Sequence, residues 1–216
     1  MKDFLVFGTG DFADIVSDLI KRLGRNTAGY ILDDAYVSSD SYNRLPVIPL
    51  SRLKEYSTEK YSVAIGFIGG KMYTQRSEKF ELIRSLGYEL ENLIHPSAVL
   101  STDNIGVGNI ILEGCILGFK VKMGDGNIMW PHSVVNHHGV IGSFNNLSPS
   151  MSTSGGVTIG SHCFLGNNST YKNKVVVADY TLVGAGAYIA HNTEEYGVYV
   201  PERTVKLNKN SMDIIL

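Results

Sequence analysis

Residues 105–129 read IGVGNIILEGCILGFKVKMGDGNIM, and every sixth residue of this stretch is bulky and apolar. The period continues in both directions, and its members are Val99, Ile105, Ile111, Leu117, Met123, Met129, Val135, Ile141, Leu147, Thr153, Ile159, Leu165, Tyr171, Val177, Val183 and Ile189. An α-helix repeats every 3.6 residues and an ordinary strand every two, so neither explains a period of six.

Small residues accompany this period at fixed positions. Glycine often follows the apolar residue, at 106, 118, 124, 142, 160, 166 and 184, and slim residues lie two before it, such as Asn109, Cys115, Asn127 and Ser133. The pattern predicts a triangular coil of three short strands, with one apolar side chain pointing inward on each face and a small residue at each corner. About five such coils would stack between residues 99 and 189 and bury their apolar faces on one another, with no slip in register.

The first 96 residues have a different pattern, in which strands and helices alternate. Predicted strands are Phe4–Phe7, Ala28–Leu32 and Ser62–Gly66, predicted helices are Asp14–Leu23 and Lys71–Leu86, and Asn92–Pro96 is predicted as the last strand and the hinge. Alternation of this kind is typical of a small parallel sheet. We therefore expect an α/β Rossmann-like domain at residues 1–96 and a left-handed parallel β-helix with a short C-terminal tail at residues 97–216.

Composition excludes some functional classes. The formal net charge is −2 over 216 residues, which gives no general attraction for nucleic acid or an anionic membrane. No run of apolar residues is long enough to span a bilayer, and the start of the chain does not resemble a signal peptide. A cytoplasmic protein is expected, and its two cysteines, Cys115 and Cys163, are interpreted as packing residues.

The turn after the first strand is a candidate ligand site. It reads Gly8-x-Gly10-x-x-Ala13, with Asp33 and Asp34 about twenty residues later, which is the dinucleotide-binding fingerprint in outline. The domain is too short to hold both halves of a dinucleotide, so a nucleotide or nucleotide sugar is favoured over NAD. The alternative is that the glycines only allow the strand and helix to pack.

Histidines provide the second candidate site. In Asn136-His137-His138-Gly139, directly after inward-pointing Val135, His137 is expected to face outward at a corner, where it can act as a general base or be an inert surface residue. The competing use is zinc, because His132 and His137 have the spacing found in β-helical carbonic anhydrases. A third ligand is not evident: His95 is off phase and expected outside the coils, and His162 lies nearly two coils later, so no metal is expected.

In combination, these segments resemble the bacterial sugar O-/N-acyltransferases of the NeuD/PglD type. The resemblance rests on Phe7-Gly8-Thr9-Gly10, Ile31-Leu32-Asp33-Asp34, Val63-Ala64-Ile65-Gly66, Leu93-Ile94-His95, the hexapeptides and residues 134–142. It implies an acetyl-CoA-dependent N-acetyltransferase acting on the amino group of a nucleotide-activated amino sugar in surface-glycan biosynthesis. It also implies a homotrimer with active sites between subunits.

The resemblance assigns roles to individual residues. Thr9, Gly10 and Asp11 would contact the nucleotide, Asp33, Asp34 and Gly66 would hold its base and ribose, His137 and His138 would be catalytic with His137 as the base, and Asn146, Asn167 and Ala185 would line the acetyl-CoA groove. Backbone amides would stabilise the oxyanion.

The chain departs from the family pattern at three places. His138 stands where Asp or Glu is common, Asn146 where closer relatives have histidine, and Val200-Pro201-Glu202-Arg203 where many hexapeptide enzymes have Gly-x-Pro-Ala-Lys. Arg203, Lys206 and Lys209 are candidates for the CoA phosphates or form a solvated tail. The alternative functions are O-acetylation of a sugar or sialic-acid hydroxyl, or binding of a nucleotide sugar without catalysis.

Overall fold

The computed structural model of the protein describes residues 1–208 and residue 212. Residues 1–85 form an α/β unit. Its elements are β1 (Asp3–Phe7), α1 (Asp11–Arg22), β2 (Thr27–Leu32), β3 (Ser41–Tyr42), β4 (Leu45–Pro49), β5 (Tyr61–Ile65) and α2 (Thr74–Ser85), with 3₁₀ turns at Asp34–Tyr36, Leu50–Glu55 and Lys71–Tyr73. The sheet order is β3-β4-β2-β1-β5, parallel except for the β3–β4 pair. The predicted Rossmann-like sheet is confirmed.

The rest of the described chain is the predicted parallel β-helix, with strands of two residues. The first face contains β6 (Leu93–Ile94), β8 (Ile110–Ile111), β11 (Ile128–Met129), β14 (Asn146–Leu147), β17 (Phe164–Leu165), β20 (Leu182–Val183) and β22 (Val198–Tyr199). The second face contains β7 (Val99–Leu100), β9 (Ile116–Leu117), β12 (Val134–Val135), β15 (Ser152–Thr153), β18 (Thr170–Tyr171) and β21 (Tyr188–Ile189). The third face contains β10 (Lys122–Met123), β13 (Val140–Ile141), β16 (Thr158–Ile159) and β19 (Val176–Val177).

Three rows of corners join these faces. We call them the first corner (first to second face, including residues 130–133, 148–151, 166–169 and 184–187), the second corner (second to third face, 118–121, 136–139, 154–157 and 172–175) and the third corner (third to first face, 124–127, 142–145, 160–163 and 178–181). The corners contain a residue with left-handed backbone, such as Lys120, His138 and Lys174 in the second. The inward apolar residues form one buried core along the axis.

A ladder of asparagines runs up the inside of the third corner. Asn109, Asn127 and Asn145 are buried, and each accepts hydrogen bonds at Oδ1 from the backbone nitrogen 18 residues later, at 2.7–2.9 Å. Asn127 Nδ2 also donates to Asn109 Oδ1 at 3.0 Å and to the carbonyl of Gly142 at 3.0 Å. These slim polar residues therefore satisfy backbone groups that are buried in the third corner.

The register differs from the prediction in the first coil. Leu100 pairs with Leu117 and Ile94 with Ile111, a spacing of 17 residues, whereas Ile105 pairs with Met123 at 18. Val99, predicted to point inward, is 55% exposed. The unbroken register predicted from Val99 was therefore wrong in this coil.

The slip lies between Leu100 and Ile105, where the turn is one residue shorter. Thr102 Oγ1 stabilises this shorter turn by donating to the carbonyl of Val121 at 2.7 Å and accepting from the Asn104 amide at 3.2 Å. The periodicity of apolar residues does not report such a bond.

Element boundaries also differ near the start and the domain junction. α1 begins at Asp11 rather than Asp14, and the predicted helix from Lys71 is a 3₁₀ turn followed by α2 at Thr74. The strand expected to end the N-terminal sheet is β6, which pairs with β8 and is the first strand of the β-helix. His95, expected outside the coils, donates its backbone amide to the Ile111 carbonyl at 2.8 Å within the first coil.

The α/β unit packs on the first face of the β-helix. Phe12 of α1 contacts Trp130, with ring centroids 5.4 Å apart, and shares a buried cluster with Ile110 and Ile128. On the other side of the sheet, Phe80 of α2 meets Phe144 at 5.2 Å. The second and third faces carry no part of the α/β unit, so their outward side chains lie open.

A buried arginine connects the two units. Arg76 is 1% exposed, and its Nη1 donates to the carbonyls of Ile65 at 2.7 Å and Phe67 at 2.9 Å, while Nε donates to the Gly126 carbonyl at 3.3 Å. Burial lowers the pKa of this guanidinium. The side chain thus ties α2 and the end of β5 to the third corner.

Candidate functional site

A cavity of about 410 Å³ opens at the carboxyl ends of β1, β2 and β5, where the chain continues from β1 to β2 on one side and β5 lies on the other. This is the position at which open α/β sheets bind ligands. The lining residues are Phe7, Gly8, Thr9, Leu32, Asp33, Tyr36, Phe67, Gln75, Glu78 and Lys79. We call it the nucleotide cavity after the ligand predicted for it.

The glycines of this region allow close backbone packing. Gly8 has φ +121°, and a Cβ there would lie 2.9 Å from the Gly66 carbonyl oxygen. A Cβ on Gly66 would collide with Val6 and lie 3.2 Å from the Ala13 Cα. Gly66 therefore packs beneath the cavity rather than lining it, while Gly10 is the N-cap of α1. The amides at the start of α1 give this end of the helix a partial positive charge that suits an anion.

The two adjacent aspartates have different environments. Asp33 lines the cavity and forms an ion pair with Lys79 Nζ, which also lies 5.7 Å from the Phe7 ring centroid. Asp34 bonds instead to the hydroxyl and backbone amide of Ser51, and these hydrogen bonds lower the pKa of the Asp34 carboxyl. Asp34 does not line the cavity. Asp11 is exposed in the first turn of α1, also outside the lining.

Sequence reasoning missed the side of the cavity formed by α2. Gln75, Glu78 and Lys79 belong to this helix, and Phe67 to the loop before it. The spacing of Gln75, Glu78 and Lys79, at i, i+3 and i+4, was a usable signal that they share one helix face. Nothing in the local sequence indicated that this face turns toward Asp33.

A second cavity, of about 310 Å³, lies between the loop at residues 67–73 and the β-helix. Its lining residues are Ile68, Tyr73, Trp130, Asn146, Ser148, Pro149, Phe164 and Asn167, and we call it the loop cavity. Asn146 is 4% exposed: its Oδ1 accepts from Trp130 Nε1 at 2.8 Å, and its Nδ2 donates to Ser148 Oγ at 3.0 Å. Ala185 lies outside this lining, one coil beyond Asn167 on the first corner.

The loop at residues 67–73 forms a wall of both cavities. Phe67 lines the nucleotide cavity, and Ile68 and Tyr73 line the loop cavity. His162 Nδ1 lies 3.0 Å from the carbonyl oxygen of Met72, and its ring stacks between Phe144 and Tyr180 at 5.4 and 4.9 Å. A histidine of the third corner therefore anchors the loop.

His137 lies exposed on the second corner, as the sequence predicted. Its imidazole rests on the next coil at Gly155, where an added Cβ would be 2.5 Å from Nε2 and 3.0 Å from Nδ1. Its Nδ1 is 3.0 Å from Nδ1 of His138, and the two rings are nearly perpendicular, at 86°. His138 also meets the Phe119 ring edge to face at 5.9 Å.

The structure brings some of the predicted residues together and separates others. Thr9 and Asp33 share the nucleotide cavity, and Asn146 and Asn167 share the loop cavity. His137 and His138 lie on the second corner, whereas both cavities adjoin the first face or the α/β unit. Within a single chain, the predicted base therefore lies away from both the nucleotide cavity and the loop cavity.

The remaining candidates are dispersed. His132 lies on the first corner and His137 on the second, and within the described part of the chain no three His, Cys, Asp or Glu residues approach closely enough to hold a metal ion. Arg203 and Lys206 are exposed, and Lys209 lies outside the described residues. No helix among the described residues has the length and apolar character needed to cross a membrane.

Comparison with known proteins identifies similar domains and folds. The family described as the PglD N-terminal domain matches residues 3–71. The acetyltransferase domain of PglB from Neisseria gonorrhoeae FA1090 is 24% identical and superposes with a TM-score of 0.81, covering 93% of this chain and 97% of that one. The same domain has also been solved in complex with acetyl coenzyme A, with a TM-score of 0.76.

Two further structures extend the likeness. PerB from Caulobacter crescentus, in complex with CoA and GDP-perosamine, is 22% identical with a TM-score of 0.81, covering 93% of this chain and 95% of that one. WeeI from Acinetobacter baumannii AYE is 16% identical with a TM-score of 0.69, covering 93% and 97%. Residues 3–71 thus match the PglD N-terminal domain family, and the whole chain has the fold of these proteins, a Rossmann-like domain followed by a left-handed parallel β-helix.

Proposed function

We propose that the protein transfers an acetyl group from acetyl-CoA to the amino group of a nucleotide-activated amino sugar, with His137 as general base. The observation that carries the proposal is the exposed His137 imidazole, with Nδ1 engaged by His138 and its ring resting on Gly155. Support also comes from the nucleotide cavity and from a fold that in PerB binds CoA and GDP-perosamine.

The chemistry needs one proton acceptor. The amine nitrogen attacks the acetyl carbonyl and forms the new C–N bond, and its proton passes to Nε2 of His137. Collapse of the intermediate breaks the C–S bond, and His137 returns the proton to the leaving CoA thiolate. General-base assistance of this kind contributes about 10²–10⁴-fold in rate.

The arrangement of the site favours a homotrimer with active sites between subunits. His137 and the loop cavity lie on different corners, so a neighbouring subunit has to supply one of them. The free faces carry apolar side chains suited to such contact: Ile116 is 38% exposed and Tyr188 63% on the second face, and Val140 and Val176 are each 41% exposed on the third. Burial of apolar area of this kind stabilises association.

A release assay tests the function. The protein is incubated with acetyl-CoA and a panel of UDP-, dTDP- and GDP-linked amino sugars, and free CoA thiol is measured. Each amino sugar is matched with the same nucleotide sugar bearing a hydroxyl in place of the amine. Thiol release above this control with at least one amino sugar is expected; release only with the hydroxyl compounds would contradict the proposal in favour of O-acetylation.

Asp33 is expected to bind the substrate nucleotide. Replacing Asp33 with Asn should weaken the affinity for the nucleotide of the substrate about tenfold, because a charge-assisted hydrogen bond contributes about 1.5–3 kcal/mol. Isothermal calorimetry with the free nucleoside diphosphates measures the change. Asp34→Asn is the matched control, since that carboxylate bonds to Ser51 outside the cavity, and equal losses in both variants would count against the assignment.

Gly155 is expected to leave room for the base. A methyl group at this position would lie 2.5 Å from His137 Nε2, so the imidazole has to move. For Gly155→Ala we expect kcat to fall about tenfold or more, because small displacements of a catalytic group are costly. Nucleotide affinity should stay unchanged and serves as the internal control; a wild-type kcat would show that the ring position does not matter.

A further inference from the structure

The two histidines of the second corner share a single hydrogen bond. Nδ1 of His137 lies 3.0 Å from Nδ1 of His138. A neutral imidazole carries one proton, on either Nδ1 or Nε2, so a bond between two Nδ1 atoms requires that one ring donates and the other accepts. The tautomers of the two rings are therefore linked.

We infer that His138 is the positioning residue that sets the tautomer of His137, by accepting the Nδ1 proton so that Nε2 of His137 is left with a free lone pair. This inference rests on the proposed function, in which Nε2 takes the proton of the amine. In the opposite arrangement His138 donates, His137 carries its proton on Nε2, and the ring cannot act as a base.

The attacking amine can use only this arrangement. The neutral amine directs its lone pair at the acetyl carbonyl, so it can bond to His137 only through an N–H, and Nε2 must then have a lone pair. Docking therefore requires the proton of His137 to lie on Nδ1, and His138 supplies its acceptor. An imidazole thus performs the orienting role that a carboxylate can perform at this position, without a negative charge.

The hydrogen bond between the two imidazoles depends on both rings being neutral. Among the described residues, neither ring forms an ion pair with a carboxylate, and the equivalent corner positions one coil before and two coils after His138 are Lys120 and Lys174. The other residues stacked on the pair, Phe119 and Gly155, are uncharged. One added proton on either ring would remove either the free lone pair on Nε2 of His137 or the acceptor on Nδ1 of His138.

Nitrogen-15 NMR of the histidine side chains tests the tautomer directly. In the wild-type protein at a pH where the pair is neutral, and with the nucleotide amino sugar bound, His137 should carry its proton on Nδ1. In His138→Gly it should shift toward the Nε2 form. Gly suits this position because His138 has φ +57°. A wild-type His137 protonated on Nε2, or no change in the variant, would overturn the inference.

A kinetic comparison separates positioning from a structural role. His138→Asn tolerates the left-handed backbone and keeps an acceptor, Oδ1, at the same number of bonds from Cβ as Nδ1. We expect kcat to fall about tenfold or more in His138→Gly, with both KM values within about twofold, and His138→Asn to recover most of the loss. If Asn is no better than Gly, or Gly equals wild type, the inference fails.

A third variant uses the pH profile. In His138→Glu a carboxylate raises the pKa of His137, so the acid limb of kcat should move to higher pH than in wild type. An unmoved limb would contradict direct contact between the two side chains. If no amino sugar is acetylated by any form of the protein, the proposed function fails, whereas the tautomer measured by NMR without acetyl-CoA still decides whether His138 holds His137.

Discussion

Replacing His137 with alanine is expected to lower kcat for acetyl transfer by about 10²–10⁴-fold, the usual contribution of a general base. The amine would then lose its proton only to water or buffer. KM for the nucleotide sugar should change little, because the residues assigned to nucleotide binding lie in a separate cavity of the α/β unit. Initial rates of CoA release, at saturating acetyl-CoA, measure both quantities.

His191 provides a matched control for this substitution. It is exposed and occupies the position on the second corner that lies three coils, or 54 residues, after His137. We expect His191→Ala to retain the wild-type rate. Equal rates in wild type and His137→Ala would remove His137 from the mechanism while leaving the fold and the nucleotide cavity unaffected.

The largest effect on stability is expected at Asn127. Leucine branches at Cγ as asparagine does but has no polar atoms, so Asn127→Leu would leave the Asn145 backbone amide and the Gly142 carbonyl without their partners in a buried corner. Each buried polar group left unsatisfied costs about 1–3 kcal/mol. We therefore expect the free energy of unfolding to fall by about 3 kcal/mol or more.

Urea denaturation followed by circular dichroism measures this change. Asn173→Leu is the control, because Asn173 is exposed on the second corner, and its midpoint should stay close to that of wild type. A wild-type midpoint for Asn127→Leu would mean that the ladder contributes little and that apolar packing alone holds the third corner.

Most of the fold could be predicted from the sequence because the apolar residues that define it recur every six positions. From Ile105 to Ile189 the inward positions recur at the same places in each coil, and the pairing of strands in successive coils confirms that register. The first coil differs because one of its turns is a residue shorter, a turn that the Thr102 hydroxyl stabilises. The period reveals the repeated unit, but it does not reveal a side-chain bond that stabilises one shorter turn.

The candidate site was less accessible to sequence reasoning. Asp33 and Asp34 are adjacent and chemically identical, and only the folded chain shows that Ser51 engages the second while Lys79 engages the first. The anchor of the loop, between Met72 and His162, joins residues 90 positions apart. His137 could be predicted as a candidate base because the six-residue period had already placed it at a corner of the coil.

The shared core between α1 and the first face makes the two domains one cooperative unit. Phe12 shares a buried cluster with Ile128, and the fully buried Arg76 donates across the junction to Gly126. Cutting the chain near residue 96 would expose this apolar surface on both fragments and leave the arginine without one of its acceptors. The boundary that the sequence shows near residue 96 is thus a change of architecture. We do not expect the two fragments on either side of it to be stable independently.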